Sequence, residues 1–175
     1  MDQAFRFCPR CAAALAERTL HGAPRRACPK EGCGFVHWNN PTPVVAAIVE
    51  RQGAVLLARA RDWPEKVFGL VTGFLEAGEA PEDGVRREVK EELGLDARVV
   101  SLVGVYTFVP RNELLVAYHL VAEGEVALGA ELQAYKAVPV EKLRPWDFGT
   151  GLAVKAWLER RAARPAAVDA VPPRE

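Results

Sequence analysis

The sequence predicts an α+β fold in which a mixed β-sheet lies between two helices, preceded by a small cysteine-rich module. Short aliphatic runs around two turns indicate two strand pairs, and helical spacing of apolar residues indicates one helix between the pairs and one after them. All four cysteines fall within the first 33 residues, in two close pairs. We therefore expect a cysteine-rich module over residues 1–38, a main domain over 39–164 and a flexible, Pro- and Ala-rich tail over 165–175.

The strand pairs consist of β-branched and aliphatic runs that flank turn-forming residues. The first pair is Val44–Val49 with Ala54–Ala58, and the second is Val99–Phe108 with Leu114–Val121. The closing helix is predicted from about Thr150 to Arg161. Strands on either side of one helix, followed by a second helix, favour a sheet that is covered on both faces.

The first helix is predicted from Pro81 to Leu93, because proline suits the first turn and the following Gly94 suits a helix end. At 100° per residue, three glutamates share one side of this helix beside an apolar stripe: Glu88, Glu91 and Glu92. Two carboxylates about 4 Å apart repel by about 4 kcal/mol at an effective dielectric near 20, so a converging trio favours a bound cation. Mg²⁺ or Mn²⁺ suits such oxygen ligands. The alternative is a solvated acidic face that Lys90 and the arginines balance.

The loop before the helix favours the metal site. The segment from Gly73 to Leu95 fits the pattern G-x5-E-x7-R-E-U-x-E-E-x-G-U at every specified position, where U is a bulky aliphatic residue. The matching residues are Gly73, Glu79, Arg87, Glu88, Val89, Glu91, Glu92, Gly94 and Leu95.

This segment resembles the signature of the Nudix hydrolase family. The resemblance implies an α/β/α sandwich that uses Mg²⁺ or Mn²⁺ to hydrolyse a nucleoside diphosphate linked to another group. It also implies roles for individual residues: Glu91 and Glu92 bind metal, Glu88 binds metal or helps to deprotonate the attacking water, and Arg87 orients them through an ion pair with Glu79. Gly73 and Gly94 would be structural, and carbonyls near Thr72 and Gly73 would complete the coordination. Glu131 is our candidate for a further carboxylate from a later loop; the alternative is an ordinary surface glutamate.

The cysteine pairs are Cys8-Pro-Arg-Cys11 and Cys28-Pro-Lys-Glu-Gly-Cys33. In a reducing cytoplasm such pairs indicate a metal site rather than disulfides, and four thiolates suit one structural, tetrahedral Zn²⁺. The competing interpretations are disulfides, a redox pair, or a site in which His21 or His37 replaces a cysteine.

A zinc ribbon ahead of such a domain resembles the NADH pyrophosphatase branch of the family. NADH-cleaving members carry a Ser-Gln-Pro-Trp-Pro-Phe-Pro motif after the signature, whereas the corresponding region here, Gly104–Asn112, lacks it. Tyr106 and Phe108 in this region are candidates for stacking on a base; the alternative is that at least one of them belongs to the sheet core.

The composition gives little reason to expect a nucleic-acid or membrane partner for the whole protein. Its 23 basic and 23 acidic residues cancel, and no apolar run approaches the ~18 residues of a membrane span. The first residues also lack a signal-peptide core, so we expect a cytoplasmic protein.

The leading functional hypothesis is hydrolysis of ADP-ribose, NAD(H) or a similar dinucleotide, with AMP as one product; the resemblance also implies a homodimer. One alternative enzyme removes damaged nucleoside triphosphates or a 5′ cap from RNA. A non-enzymatic alternative is a nucleic-acid-binding zinc ribbon joined to a nucleotide sensor, but the intact glutamates favour an enzyme.

Overall fold

The computed structural model describes residues 5–163, so the tail expected at 165–175 lies outside the described residues. The chain divides between Asn40 and Pro41 into two compact units, called here the N-terminal unit and the main unit. Within the described range, no helix combines the length and apolarity needed to cross a bilayer.

The N-terminal unit contains a three-stranded antiparallel sheet in the order β1-β2-β3. Its strands are β1 (Ala16–Leu20), β2 (Ala23–Ala27) and β3 (Val36–His37). His21 and Gly22 connect β1 to β2 with positive φ angles of 51° and 78°, which match the twist of a tight hairpin. The sequence did not predict these strands.

The main unit contains six strands and two helices, and both predicted strand pairs are present. The strands are β4 (Thr42–Arg51), β5 (Ala54–Ala60), β6 (Val71–Phe74), β7 (Asp96–Phe108), β8 (Glu113–Glu123) and β9 (Leu132–Pro139). The helices are α1 (Pro81–Leu93), with the predicted bounds, and α2 (Gly151–Ala163), which begins one residue and ends two residues later than predicted. The sequence did not predict β6 or β9.

The sheet is mixed, as predicted, and β4 is its central strand. Along one side β4 pairs in parallel with β8 over Thr42–Glu50. Along the other side its first half pairs with β6 and its last residues pair with β5, both antiparallel. The main order is β7-β8-β4-β5-β9. The end of β6 therefore lies beside the start of the central strand, and the loop of residues 75–80 begins there.

Each face of the sheet packs on one helix, which confirms the predicted α/β/α sandwich. Alternate residues of β4 point to opposite faces: Val45 and Val49 pack in the α1 core, whereas Ala46 and Ile48 pack in the α2 core. The apolar stripe of α1 is fully buried in the first core: Val85, Val89 and Leu93. This packing holds α1 in one orientation and leaves its glutamate side at the edge of the sheet.

Specific residues stabilise both ends of α1. Pro81 occupies the first turn, and the hydroxyl of Tyr118 on β8 donates to Glu82 Oε1 at 3.0 Å. At the other end Gly94 adopts a left-handed conformation, with φ of 71°, and its N–H donates to the Lys90 carbonyl at 3.0 Å. A side chain at Gly94 would strain this helix end.

Candidate active site and metal centre

An acidic cleft of about 510 Å³ opens where β6, α1 and the loop before β9 meet. Its lining includes five glutamates and a single arginine: Glu76, Glu88, Glu91, Glu92, Glu131 and Arg87. Thr72 and Gly73 of β6 and Gly129 of the loop also line the cleft. Four of the predicted carboxylates thus lie in one cavity, together with Glu76, which was not predicted from the sequence.

Arg87 joins the glutamates by a set of hydrogen bonds. Its Nε and one terminal nitrogen donate to the two carboxylate oxygens of Glu79 at 2.9 and 3.0 Å. Its other terminal nitrogen donates to Glu88 at 2.7 Å and to Glu91 at 3.2 Å. A further bond reaches the Phe74 carbonyl at 3.1 Å. One arginine therefore links the loop to two of the predicted catalytic glutamates.

Glu79 and Arg87 shift each other's pKa values. Hydrogen bonding to Arg87 lowers the pKa of Glu79, which thus remains a carboxylate at neutral pH. Glu79 Oε2 also accepts the Glu76 N–H at 3.2 Å, so the carboxylate fixes the turn before α1. Arg87 in turn has a raised pKa because Glu79 and Glu88 accept its hydrogen bonds.

Two glycines permit the close packing of this site. A Cβ at Gly73 would lie 1.8 Å from the carboxyl carbon of Glu88, so the carboxylate occupies the space that any side chain at this position would need. A Cβ at Gly84, inside α1, would meet Glu79 Oε2 at 2.8 Å. The first glycine of the signature is thus required by the position of Glu88 rather than by its own backbone angle.

The loop that carries Glu131 is bound to the end of α1. The Ala127 and Gly129 N–H groups donate to the carbonyls of Leu93 and Glu92, each at 2.9 Å. A Cβ at Gly129 would lie 2.2 Å from the Glu91 carbonyl oxygen, so the two backbones touch here. These contacts use carbonyls that a helix end leaves free, and they bring Glu131 to the cleft.

The cleft holds more negative charge than Arg87 neutralises. Burial, together with the charges of Glu88, Glu131 and Glu91, raises the pKa of Glu92 to about 8. Burial also raises the pKa of Glu88, against the opposing effect of Arg87. A divalent cation would relieve this repulsion, and the lining fits one because oxygen ligands predominate. The glutamate oxygens do not form a tight cage, however: within residues 5–163 only cysteines place three or more ligand atoms within 4.8 Å of one another.

A small aromatic slot of about 150 Å³ adjoins the acidic cleft and shares Thr72 with it. Its ring-bearing residues are Trp63, Phe108 and Phe148, and Arg111 and Glu113 add polar groups. Phe108 is thus located at the slot. Tyr106 is not among its lining residues; it packs against the α2 core, and burial raises its pKa. Trp63 and Phe148 were not predicted from the sequence because no local pattern connects them with Phe108.

The four cysteine sulfurs of the N-terminal unit lie within 4.8 Å of one another. Cys8 and Cys33 are 3.6 Å apart, and Cys11 and Cys28 are 3.5 Å apart, so each contact joins the two pairs and none is a disulfide. Zn–S bonds of about 2.3 Å in a tetrahedron imply S···S distances of about 3.8 Å. Burial raises the pKa of the Cys28 thiol to about 12, so a thiolate at this position needs a nearby cation. The cysteines fit a tetrahedral metal ion, and neither His21 nor His37 is part of the group.

A family comparison matches the main unit to one domain model. The NUDIX domain model aligns with residues 40–157, which is more than half of the chain. The matched residues include β6 with Gly73, all of α1 and Glu131.

Two curated relatives share the name NAD-capped RNA hydrolase NudC. The protein from Mycobacterium tuberculosis (strain ATCC 25618 / H37Rv) is 36% identical over 80 residues, which cover 46% of this chain and 26% of the relative. The protein from Stutzerimonas stutzeri (strain A1501) is 27% identical over 165 residues, or 91% of this chain and 58% of the relative. The chain therefore spans between about a quarter and three fifths of the length of these relatives.

A solved structure has the same fold over nearly the whole chain. The crystal structure of a NUDIX hydrolase from Nitrosomonas europaea superposes with a TM-score of 0.73 and covers 93% of this chain and 96% of its own. At 24% sequence identity, this likeness concerns the fold alone.

Proposed function

The chain belongs to the NUDIX family, and from this premise we propose that it hydrolyses the pyrophosphate bond of a nucleoside diphosphate derivative: ADP-ribose, NAD(H) or a similar dinucleotide. The observation that carries the proposal is the cleft that Glu88, Glu91, Glu92 and Glu131 line together with a single arginine. Neighbouring phosphates carry negative charge and would not enter such a cleft alone. A bound divalent cation is therefore part of the proposal.

We assign the cation to Glu91, Glu92 and Glu131, with Glu88 as a further ligand or as the group that accepts a proton from the attacking water. Mg²⁺ or Mn²⁺, when bound, neutralises phosphate charge and makes a bound water more acidic. Because Glu88 and Glu91 now accept hydrogen bonds from Arg87, cation binding would draw them partly away from it. Glu79 then keeps Arg87 in position through its two-point contact.

In the proposed reaction a water oxygen bonds to phosphorus while the bond from phosphorus to the bridging oxygen breaks. The water loses one proton to a carboxylate or solvent, and the two products are phosphate monoesters, one of which is AMP for an ADP-containing substrate. The chain's own contribution is to orient the carboxylates and to hold the phosphates in line.

The aromatic slot supports a nucleotide as the substrate. A planar base could stack on Phe108 or Phe148, and Arg111 and Glu113 offer a donor and an acceptor for its edge. Because the slot shares Thr72 with the acidic cleft, one substrate could reach both. This arrangement favours a nucleoside diphosphate derivative over inorganic pyrophosphate.

A second candidate substrate is the NAD-capped 5′ end of RNA, which the names of two relatives specify. The same bond would be cleaved, so the cleft serves both candidates. The two substrates differ in whether an RNA chain is attached to the adenosine of the dinucleotide.

The test is product analysis after incubation of the protein with ADP-ribose, NADH, NAD⁺, dinucleoside polyphosphates and NAD-capped RNA, each with Mg²⁺ or Mn²⁺. We expect AMP, or RNA with a 5′ monophosphate, from at least one of them. Glu92→Gln and Glu91→Gln should abolish the reaction and leave the fold intact. Wild-type rates in either variant would refute the metal assignment, and no turnover of any substrate would favour a nucleotide sensor.

We further propose that the metal ion of the cysteine cluster is structural Zn²⁺, which supports a unit with a small core. A thiolate site is compatible with the reducing cytoplasm, which we propose as the location of the protein. Metal analysis of protein purified under reducing conditions tests the site, and the absence of zinc would refute it.

The homodimer stays a proposal, supported by the edge strand β7, which exposes Val100, Leu102 and Val105. Sedimentation equilibrium should then give twice the mass of the chain, and a single-chain mass would refute it.

A further inference from the structure

Three aligned side chains form a largely exposed row across the sheet of the N-terminal unit. Arg18 on β1 lies directly opposite Arg25 on β2 in the antiparallel register. The pairing of Arg26 with His37 places Trp38 next to Arg25 on the same face, and the Arg25 guanidinium lies 5.8 Å from the centre of the Trp38 ring. This row, Arg18–Arg25–Trp38, is called here the arginine–tryptophan row.

The two arginines of the row repel each other unless an anion neutralises their charge. Like charges directly opposite each other on neighbouring strands repel. Neither Arg18 nor Arg25 has a carboxylate within ion-pair distance in the described part of the chain. The only hydrogen bond that Arg25 donates there runs from a terminal nitrogen to the Trp38 carbonyl at 3.4 Å, and its buried Nε has no partner. Two guanidinium groups thus retain donors for an anion.

The tryptophan is equally unusual for a small protein unit. Trp38 is 43% exposed, although its indole could have enlarged the small core of this unit. His21 lies beside it, with ring centres 5.8 Å apart. An exposed ring that is flanked by cationic and imidazole groups is the arrangement on which an unpaired base can stack.

The N-terminal unit has only a small net charge once a bound zinc site is counted. Residues 1–40 carry six basic side chains against three acidic ones, whereas the whole chain is neutral. A zinc ion bound by four thiolates contributes about −2, so the net surplus is small and the local row, rather than the total charge, attracts an anion. Phosphates spaced along a chain, with bases between them, match alternating arginine and aromatic groups.

We infer that the arginine–tryptophan row is a binding surface for single-stranded nucleic acid, in which the arginines contact phosphates and Trp38 stacks on a base. This function is separate from the proposed hydrolysis. It requires neither the acidic cleft nor a pyrophosphate bond.

The test measures binding of the full chain to fluorescent 5′-hydroxyl single-stranded RNA of about 12 nucleotides, within the usual site size of such surfaces, by anisotropy without Mg²⁺. Such RNA contains no pyrophosphate, so hydrolysis plays no part. We expect binding that weakens with salt, with a slope of about −0.7 per contacted phosphate in a plot of log K against log salt.

Substitutions at Arg18 and Trp38 separate the contributions of phosphate contact and base stacking. Arg18→Ala should make the slope shallower by about 0.7, because one phosphate contact is lost. Trp38→Ala should weaken binding at every salt concentration by about fivefold or more with the slope unchanged, whereas Trp38→Phe should retain most of the affinity. Lys155→Ala removes one exposed positive charge from α2 in the main unit and is the matched control that should bind like the wild type.

Each variant must still contain zinc and hydrolyse ADP-ribose at the wild-type rate, which shows that the fold and the acidic cleft are intact. Absence of RNA binding by the wild type would overturn the inference, as would equal affinity for duplex RNA or equal losses in Lys155→Ala and Arg18→Ala. A wild-type protein that binds RNA but hydrolyses nothing would refute the proposed function and leave this inference standing.

Discussion

Arg87 and Arg86 are adjacent on α1, and replacing each by alanine should have very different effects on stability. The Arg87 side chain is 24% exposed and donates five hydrogen bonds, to Glu79, Glu88, Glu91 and the Phe74 carbonyl. Arg86 is 52% exposed and pairs with the similarly exposed Asp83. The two variants therefore remove the same group from the same helix with different partners.

The loss of unfolding free energy depends on the charged partners that remain after each arginine is removed. Removing one partner of a buried ion pair costs about 3–5 kcal/mol, and partial access of water to Arg87 reduces this to about 2–3 kcal/mol. An exposed pair contributes about 0–1 kcal/mol, so Arg86→Ala should cost less than about 1 kcal/mol. Arg87→Lys should restore only part of the loss, because an ammonium group cannot make the two-point contact with Glu79.

Urea denaturation followed by circular dichroism measures both free energies of unfolding, with equal m-values as the check that the unfolded states are alike. The difference between the variants should also depend on pH. Glu79 has a lowered pKa in the folded protein, so its contribution is present above the unfolded value of about 4.3 and is lost as the pH falls through the folded value. Equal unfolding free energies for Arg86→Ala and Arg87→Ala at pH 7 would refute the proposed role of Arg87.

Three further predictions concern Gly73, the aromatic slot and the cysteine cluster. Gly73→Ala should lower kcat for the best substrate by about a hundredfold or more without unfolding the protein, because its Cβ would lie 1.8 Å from the Glu88 carboxyl carbon; an unchanged kcat would contradict this. Phe148→Ala should raise KM about tenfold with little change in kcat, whereas Tyr135→Ala, which removes an exposed ring outside the slot, should leave both unchanged; equal effects of the two would exclude the slot as a base site. Cys28→Ser should lower the zinc content below one ion per chain by atomic absorption, and a full equivalent of zinc would contradict the four-cysteine site.

The elements with strong local signals could be predicted from the sequence. Pro81 and Gly94 mark the ends of α1, and the period of 3.6 residues separates its buried stripe from its glutamates. The Arg87–Glu79 contact, the cysteine cluster and the position of Glu131 in the cleft also agree with the expectations from the sequence. The long signature and the cysteine spacing contained the first two, whereas Glu131 was expected from the family resemblance.

The missing elements depend on contacts between distant parts of the chain. β6 has only four residues, and its pairing with β4 is specified by the sheet rather than by its own composition. β9 is a half-exposed edge strand with weak alternation. The slot needs Trp63, Phe108 and Phe148 from three separate segments, so no local pattern connects them.

The parallel pairing of β4 with β8 also determines the order in which the enzyme can be assembled during synthesis. Thr42 faces Glu113, so the central strand lacks one neighbour until the ribosome has released residues well beyond α1. The helix can form early, but its buried stripe also packs against Tyr118 and Leu120 of β8. Long-range pairing of this kind folds more slowly than helices do. The three glutamates of α1 are therefore translated before β8 and Glu131, so the cleft cannot be complete until residue 131 has left the ribosome.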